Sequence, residues 1–368
     1  MPEPAAADGL PRGLVVALQA NYGWVELDRP GPGGRQRLLC TRRSRLAKTG
    51  QTICVGDRVR LEGIDWAAGR GAVAGVEPRS CLLQRPAVAN VARVVVVVAL
   101  AEPQLDPQQL CRFLITAEAT GRQVELVFSK ADLMPAEQVQ AWCVRARGWG
   151  YDPLVVSARS GLGLESLRTR LGQPGIAVLC GPSGVGKSSL LNSLSPGLDL
   201  RVAAVSGRLQ RGRHTTRHVQ LFRVAANALV ADTPGFNRPG LPPDPAGLAA
   251  LFPELRQRLS EEPCRFGNCL HRGEPGCVAA DPWDRQQLYR HCLEQIQALL
   301  ERQQGLRGSG GGERPAAGQA GLESQLDPRL RQPSRRRGRQ RLKHESRDEE
   351  DHPGTEGAPP LRSRRRED

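Results

Sequence analysis

The fold is decided by one short stretch of sequence, Gly181-Pro182-Ser183-Gly184-Val185-Gly186-Lys187-Ser188-Ser189. Residues 181–188 fit the pattern G-x-x-x-x-G-K-[ST], between an apolar predicted strand, Ile176–Cys180, and a predicted helix, Lys187–Leu194. In this context the glycines let backbone N–H groups turn onto a β-phosphate, Lys187 reaches the β- and γ-phosphate oxygens, and the Ser188 hydroxyl can ligate Mg²⁺. An ordinary glycine-rich turn is the alternative. The context favours a phosphate loop that binds a nucleoside triphosphate.

Apolar strands alternate with helices around this phosphate loop. The other predicted strands are Ala92–Leu100, Val124–Phe128 and Leu154–Val156, and the predicted helices are Pro107–Thr120, Pro135–Arg147, Leu164–Leu171 and Lys187–Leu194. Two further strands, Val219–Val224 and Ala228–Ala231, read as a hairpin. Strands that alternate with crossover helices indicate an α/β domain with a parallel sheet.

A Lys-Asp segment, Ser129-Lys130-Ala131-Asp132, follows one of these strands and indicates which base is bound. The Asp132 carboxylate can accept two hydrogen bonds from guanine N1 and N2, which adenine cannot supply, while the stem of Lys130 lies on the ring. The GTPase pattern is N-K-x-D, so Ser129 replaces the usual Asn and is expected to weaken base binding. Ser157-Ala158, after the next strand, resembles the Ser-Ala element that backs the guanine. These residues predict guanine specificity.

The switch elements lie between the phosphate loop and the C-terminal region. Asp232-Thr-Pro-Gly235 resembles the D-x-x-G element, in which Asp232 would hold Mg²⁺ through water and the Gly235 N–H would sense the γ-phosphate. Thr215 and Thr216 are both candidates for the switch threonine, and the sequence does not choose between them. Phe236 stands where many GTPases have a water-orienting Gln, so His214 is a candidate for that role, with RNA contact as the alternative.

Residues 10–80 predict a small barrel of five short strands. The strands are Gly13–Gln19, Trp24–Asp28, Gln36–Thr41, Arg58–Gly63 and Gly71–Glu77. Such a barrel is typical of folds that bind oligonucleotides. The segment from Arg29 to Lys48 has seven basic residues and no acidic residue, which suits a phosphate backbone, although a solvated loop would look the same.

Four metal-ligand residues cluster near the C-terminus, Cys264, Cys269, His271 and Cys277. Three thiolates and one imidazole can close a tetrahedral site without an open position, so we predict one structural Zn²⁺. The alternative is a group of reduced thiols beside an unrelated His. Helices are predicted around Leu248–Leu259 and from Asp284 to Gln304, and the charged tail, 305–368, is predicted to be disordered.

The composition limits the classes of protein that fit. Hydrophobic residues at 39% are enough for a sizeable core, and no apolar run approaches the roughly 20 residues that cross a bilayer. No secretory signal is recognisable, so we expect a cytoplasmic protein with reduced cysteines. The net charge of +14 favours polyanionic partners, although high arginine usage is an alternative explanation.

The order of the motifs identifies a resemblance. Most GTPases read phosphate loop, switch Thr, D-x-x-G, N-K-x-D and Ser-Ala, whereas this chain places the Lys-Asp and Ser-Ala segments first. A circularly permuted GTPase between a small barrel and a cysteine cluster resembles the RsgA (YjeQ) family. The resemblance covers about residues 10–300. It implies an OB-fold RNA-binding barrel (10–80), a permuted GTPase domain (81–238) and a zinc domain (239–304). A flexible N-terminus (1–9) and a disordered charged tail (305–368) are expected outside these domains.

The resemblance also implies a function. We expect a GTPase, assisted by Mg²⁺, that binds the small ribosomal subunit and its rRNA, assists late maturation and leaves after subunit-stimulated hydrolysis. We expect a monomer without a membrane partner. The alternative is a zinc-containing RNA-binding protein in which GTP is a static ligand, and Phe236 keeps this alternative open.

Overall fold

The computed structural model describes residues 9–19, 22–42, 52–84, 87–194, 219–232 and 239–308. The chain up to Ala298 forms one unit, and a second unit begins at Leu299. Four predicted site residues lie outside the described residues, namely His214, Thr215, Thr216 and Gly235. Residues 43–51 of the basic segment and the tail from residue 309 also lie outside them.

Five strands near the N-terminus form a small barrel. They are β1 (Arg12–Gln19), β2 (Tyr22–Leu27), β3 (Arg37–Arg42), β4 (Arg58–Asp65) and β5 (Arg70–Val76). Successive side chains of a strand point to opposite faces, and the inward ones, such as Val15, Val25, Leu38 and Leu61, make a buried core. Strand β1 pairs with both β2 and β4, which closes the barrel. The predicted barrel is confirmed.

A mainly parallel sheet follows the barrel. Its strands are β8 (Val91–Ala99), β9 (Gln123–Ser129), β10 (Leu154–Val155), β11 (Gly175–Cys180), β12 (Gln220–Ala225) and β13 (Ala228–Asp232), after a short hairpin of β6 (Leu82–Gln84) and β7 (Ala87–Ala89). The strand order is β10-β9-β8-β11-β13-β12, with only β12 antiparallel to its neighbour β13. The central strand β8 is almost wholly buried from Val94 to Val98, as expected for a sheet covered on both faces.

Four helices cover this sheet. They are α1 (Pro107–Glu118), α2 (Ala136–Gly148), α3 (Leu164–Leu171) and α4 (Lys187–Leu194). Phe113 of α1 packs in one core cluster, and Leu167 of α3 with Leu190 of α4 packs in another. Helix α1 begins where Asp106 accepts a hydrogen bond from the Gln108 N–H at 2.8 Å, with Pro107 in the first turn.

The barrel and the parallel sheet form one continuous sheet. Strand β1 pairs with β12 through Ala17 and Gln220, so that β12 has a partner on each side. Beside this junction, Arg223 of β12 forms an ion pair with Glu26 of β2. No local sequence pattern indicates a pairing between residues so far apart in the chain.

The C-terminal part of the unit is mainly helical. A 3-10 turn over Ala246–Leu251 precedes α5 (Pro253–Glu261), and α6 spans Gln286–Gly308. The prediction of one helical stretch over Leu248–Leu259 was wrong, because Phe252 is extended there (φ −112°, ψ 104°). The residue before a proline is disfavoured in the helical region, so a new helix begins at Pro253. Among the described residues, no helix has the length and apolarity required to cross a membrane.

Candidate nucleotide site and metal cluster

The phosphate loop connects β11 to α4, and its glycines adopt backbone angles that other residues avoid. Gly181, Gly184 and Gly186 have φ values of 140°, 82° and 91°. A Cβ atom on Gly181 would lie 1.9 Å from the Val97 carbonyl oxygen, so only glycine fits beside β8. The loop therefore lies against the carboxyl end of the central strand, where α/β sheets bind their ligands.

Lys187 is folded over the phosphate loop. Its Nζ donates hydrogen bonds to the carbonyl oxygens of Gly181, at 2.9 Å, and Pro182, at 2.7 Å. These bonds hold the ammonium group at the first turn of α4, where the helix N-terminus adds its own positive potential. This is a suitable position for the β- and γ-phosphates of a nucleotide.

Ser129 connects the end of β9 to the phosphate loop. It is 1% exposed, and its Oγ lies 2.6 Å from the Val185 carbonyl oxygen and 3.1 Å from that of Val98. A hydroxyl group has one proton to donate, so the shorter distance favours donation to the Val185 carbonyl. Ser129 thus lines the site while its hydroxyl is engaged by the backbone.

The Lys-Asp and Ser-Ala segments lie next to each other. Lys130 has a left-handed backbone (φ 55°), which starts a 3-10 turn over Ala131–Leu133, and its ammonium donates to the Glu102 carbonyl. The Ala131 N–H donates to the Val156 carbonyl at 3.2 Å. The buried Ser157 accepts N–H bonds from Arg159 and Ser160 through its Oγ, which fixes the following loop. Asp132 is exposed beside this pair of loops.

One cavity of about 520 Å³ joins these loops to the phosphate loop. Predicted residues along it are Ser129, Lys130, Asp132, Ser157, Ala158, Val185, Gly186 and Ser189. Others that the sequence did not single out are Glu102, Leu133, Arg159, Leu190, Asn192 and Ser193. Arg159 directly follows the Ser-Ala segment, so its place in the chain was the available signal. No sequence motif pointed to Glu102, because it lies in the loop after β8 and outside the nucleotide-binding segments.

Asp232 ends β13, the strand next to β11. Val178 of β11 pairs with Ala231, so Asp232 lies at the same end of the sheet as the phosphate loop. Ser188 is in the first turn of α4. The structure therefore places both predicted Mg²⁺ residues at one sheet edge.

The predicted metal ligands converge on one point. The three thiol sulfurs of Cys264, Cys269 and Cys277 lie 3.5, 3.7 and 3.6 Å from His271 Nδ1, and all four ligand atoms lie within 4.8 Å of one another. Ordinary Zn–S and Zn–N bonds at tetrahedral angles give S···N separations of about 3.6 Å. Burial lowers the pKa of His271, which favours the neutral ring that metal binding requires. These residues can hold a tetrahedral metal ion.

Glu274 supports this metal cluster from inside its loop. Its carboxylate accepts N–H bonds from Leu270 at 3.1 Å, Arg272 at 2.7 Å and Gly273 at 3.2 Å, and it lies 3.4 Å from the Cys269 sulfur. Although partial desolvation acts in the opposite direction, these backbone bonds lower the pKa of Glu274. No sequence pattern indicates this role, because one Glu between metal ligands resembles any surface Glu.

A buried arginine fastens the C-terminal part to the parallel-sheet part. Arg285 has no exposed surface, and its Nε donates to Glu254 Oε1 at 2.7 Å while Nη2 donates to Oε2. Its guanidinium carbon lies 4.9 Å from the ring centre of Trp149 and 4.6 Å from that of Phe252. The neighbouring Asp284 accepts a 2.8 Å hydrogen bond from Trp149 Nε1. These contacts attach the C-terminal part, which carries the metal cluster, to the parallel-sheet part.

The phosphate loop and the base-side loops share one cavity, yet the base-side loops come first in the chain. This combination defines the class of circularly permuted P-loop GTPases. A family model described as "RsgA GTPase" matches residues 76–242. "Small ribosomal subunit biogenesis GTPase RsgA" of Synechococcus sp. (strain CC9605) is 58% identical over 287 residues, 78% of this chain and 94% of that protein. The protein of the same name from Prochlorococcus marinus (strain MIT 9303) is 51% identical over 318 residues, which cover 83% of this chain and 99% of that protein. The chain belongs to the RsgA GTPase family, and it is a GTP hydrolase.

Solved structures agree with this assignment. YjeQ from Thermotoga maritima has a TM-score of 0.65 and 29% identity, covering 78% of this chain and 98% of its own. YloQ, described as a circularly permuted GTPase, has a TM-score of 0.63 and 27% identity, covering 82% and 99%. The family resemblance and the fold class predicted from the sequence are confirmed.

Proposed function

We propose that this GTPase binds the small ribosomal subunit, assists its late maturation and dissociates after subunit-stimulated GTP hydrolysis. The observation that carries the proposal is the cavity shared by the phosphate loop and the Lys-Asp segment. We infer the small ribosomal subunit as the partner from the names of the relatives, which state small ribosomal subunit biogenesis. The net charge of +14 suits an RNA-rich partner.

We assign the guanine to the side of the cavity formed by the Lys-Asp and Ser-Ala segments. The Asp132 carboxylate accepts the guanine N1 and N2 hydrogens, the Lys130 stem covers the ring, and Ala158 lies behind the base. The Ser129 hydroxyl holds the Lys-Asp segment against the phosphate loop, and the Ala131 N–H holds it against the strand end that precedes the Ser-Ala segment. Exclusion of ATP follows, because adenine presents no matching pair of donors to Asp132.

The phosphates belong on the backbone N–H groups of the phosphate loop and on Lys187. Ser188 would ligate Mg²⁺ directly and Asp232 through water, and the ion would neutralise charge that develops on the phosphates. Thr215 or Thr216 and Gly235 complete the switch in this proposal, although they lie outside the described residues. These residues bind and orient GTP.

Hydrolysis without a partner should be slow. Phe236 cannot orient the attacking water, so the chain itself lacks the side chain that many GTPases use. We assign this role to His214, brought into position by the small subunit. The alternative of a zinc-containing RNA-binding protein with a static GTP rested on Phe236, and membership of a family of GTP hydrolases opposes it.

The Cys₃His cluster is assigned one structural Zn²⁺, because its three sulfurs lie from His271 Nδ1 at the distances that a tetrahedral zinc site requires. The ion would complete the fold of residues 264–277 and leave no position open for a substrate. The loop would then present a rigid surface. It follows the GTPase domain in the chain, whereas the barrel precedes it. Both flanking parts are assigned to rRNA contact.

The decisive experiment measures GTP hydrolysis with and without purified small subunits. We expect a rate increase with small subunits and none with large subunits. Lys187→Ala is the inactive control, and His214→Ala should lose the stimulation while keeping GTP affinity. A hydrolysis rate that does not rise while the protein is bound to small subunits would contradict the proposed stimulation. Release is tested by comparing cosedimentation with GTP and with a non-hydrolysable analogue, which should retain more protein on the subunit.

A further inference from the structure

Two buried cysteines meet where the C-terminal helix α6 contacts α1. Cys111 of α1 is 1% exposed and Cys292 of α6 is 3% exposed. Although they lie far apart in the chain, each thiol is the hydrogen-bond partner of the other. Neither residue lines the nucleotide cavity or belongs to the metal cluster. We call Cys111 and Cys292 the thiol pair.

Polar contacts hold α1 against the C-terminal part of the chain around the thiol pair. Arg112 follows the first cysteine and Gln295 lies one turn after the second, and Arg112 Nη2 donates a 2.5 Å hydrogen bond to Gln295 Oε1. At the end of α1, Glu118 forms a 2.9 Å ion pair with Arg256 of α5. The two sulfurs therefore stay next to each other in the reduced protein.

The two thiols of the pair differ in acidity. The hydrogen bond from Cys111 lowers the pKa of Cys292, and the guanidinium groups of Arg112 and Arg285 act in the same direction, whereas burial opposes them. The same hydrogen bond and burial raise the pKa of Cys111. Burial alone raises the pKa of Cys40 to about 12. Because the thiolate is the nucleophile in cysteine chemistry, Cys292 is the more reactive thiol of the pair.

We propose that hydrogen peroxide converts the thiol pair into a disulfide that links α1 to the C-terminal part of the chain. The Cys292 thiolate attacks one peroxide oxygen, the O–O bond breaks, and a sulfenic acid forms while the other oxygen leaves as water. The Cys111 sulfur then attacks the sulfenic sulfur, the S–O bond breaks, and a second water leaves. The two thiols lose two electrons and two protons, and the peroxide is reduced to two waters.

Burial limits the reagents that can reach the thiol pair and sets the effect of the disulfide. A small uncharged oxidant is required, because the side chains around the pair cover both sulfurs. Disulfides that form in reducing compartments are usually transient or redox-sensing, which fits a pair that is reduced in the resting protein. The bond closes a long loop of the chain and restricts the unfolded state, so oxidation should stabilise the attachment of the C-terminal part.

The first test treats the full-length protein with hydrogen peroxide, blocks the remaining thiols with N-ethylmaleimide in urea, and identifies cross-linked peptides by mass spectrometry. We expect a peptide pair joined through Cys111 and Cys292, which Cys292→Ser should lose. Cys143→Ser, at a buried thiol of α2, is the matched control and should keep it. If the metal-cluster cysteines are oxidised while no joined pair forms in the original protein, the proposal is overturned.

The second test asks whether the disulfide fastens the C-terminal part. Oxidation should move the first urea transition of the original protein to a higher concentration, relative to the change in Cys292→Ser. The variant subtracts the effect of oxidising the metal cluster, which is the same in both proteins. Equal changes in the two proteins would contradict the link. Neither test contains ribosomal subunits or GTP, so a failure here is separate from a failure of the proposed function.

Discussion

The hydroxyl oxygen of Ser129 lies 2.6 Å from the backbone carbonyl oxygen of Val185. One residue belongs to the base-recognition segment and the other to the phosphate loop, so a single buried hydrogen bond joins the two halves of the nucleotide site. The weaker base binding expected from Ser in place of Asn stays a prediction. The hydroxyl has a position in which it aligns the two halves.

The first prediction concerns this contact. Ser129→Ala leaves the Val185 carbonyl without its donor, and an unsatisfied buried acceptor costs about 1–3 kcal/mol. We expect GDP affinity to fall about 5- to 100-fold by isothermal titration calorimetry, on the same basis. Guanosine, which lacks phosphates, should lose less affinity than GDP. Ser260→Ala, at an exposed serine on α5, is the control. Equal losses for guanosine and GDP would contradict a role in alignment.

The second prediction concerns base specificity. Asp132→Asn replaces two carboxylate acceptors with an amide that also donates, so guanine loses its match and xanthine, with a carbonyl at C2, gains one. Two charge-assisted bonds of about 1.5–3 kcal/mol each predict a loss of at least about 100-fold in GTP affinity. Competition of GTP, XTP and ATP for a fluorescent nucleotide measures the change. Retained preference for GTP would exclude Asp132 from base recognition.

The third prediction concerns the buried ion pair of Arg285 and Glu254. Glu254→Gln leaves the guanidinium without a counter-charge in an enclosed aromatic site, which typically costs about 3–5 kcal/mol. We expect the first urea transition to move to a lower concentration. Glu165→Gln breaks an exposed pair with Arg168, 79% exposed at the carboxylate, and should cost less than about 1 kcal/mol. Similar shifts in the two variants would contradict a stabilising role of the buried pair.

The fourth prediction concerns the metal cluster. The purified protein should release about one equivalent of Zn²⁺ on thiol modification, as a four-ligand site requires. Cys277→Ser should lose the metal, and Glu274→Ala should weaken it about 10- to 100-fold by removing support of the ligand loop. Cys81→Ser, at a half-buried thiol outside the cluster, is the control. A full equivalent of bound metal in Cys277→Ser would refute the ligand set.

Local patterns predicted most of the fold and much of the candidate site. Each motif follows a buried strand, and parallel strands bring their carboxyl ends to one edge, so the Lys-Asp and Ser-Ala segments had to lie near the phosphate loop. Contacts between distant residues left no such pattern. Arg285 is 136 positions from Trp149, and Ala17 is 203 positions from Gln220. No local sequence pattern therefore predicts either contact. The break at Phe252 has a local signal in Pro253, because the residue before a proline is disfavoured in the helical region.

The shared strand β12 has a practical consequence for anyone who wishes to shorten this protein. Removing the barrel would separate Ala17 from Gln220 and Glu26 from Arg223, leaving β12 as a bare sheet edge. Bare edges recruit other chains. A fragment that starts after residue 80 should therefore self-associate, so deletion experiments on the barrel would report aggregation as well as lost RNA contact, and single substitutions are the safer tool.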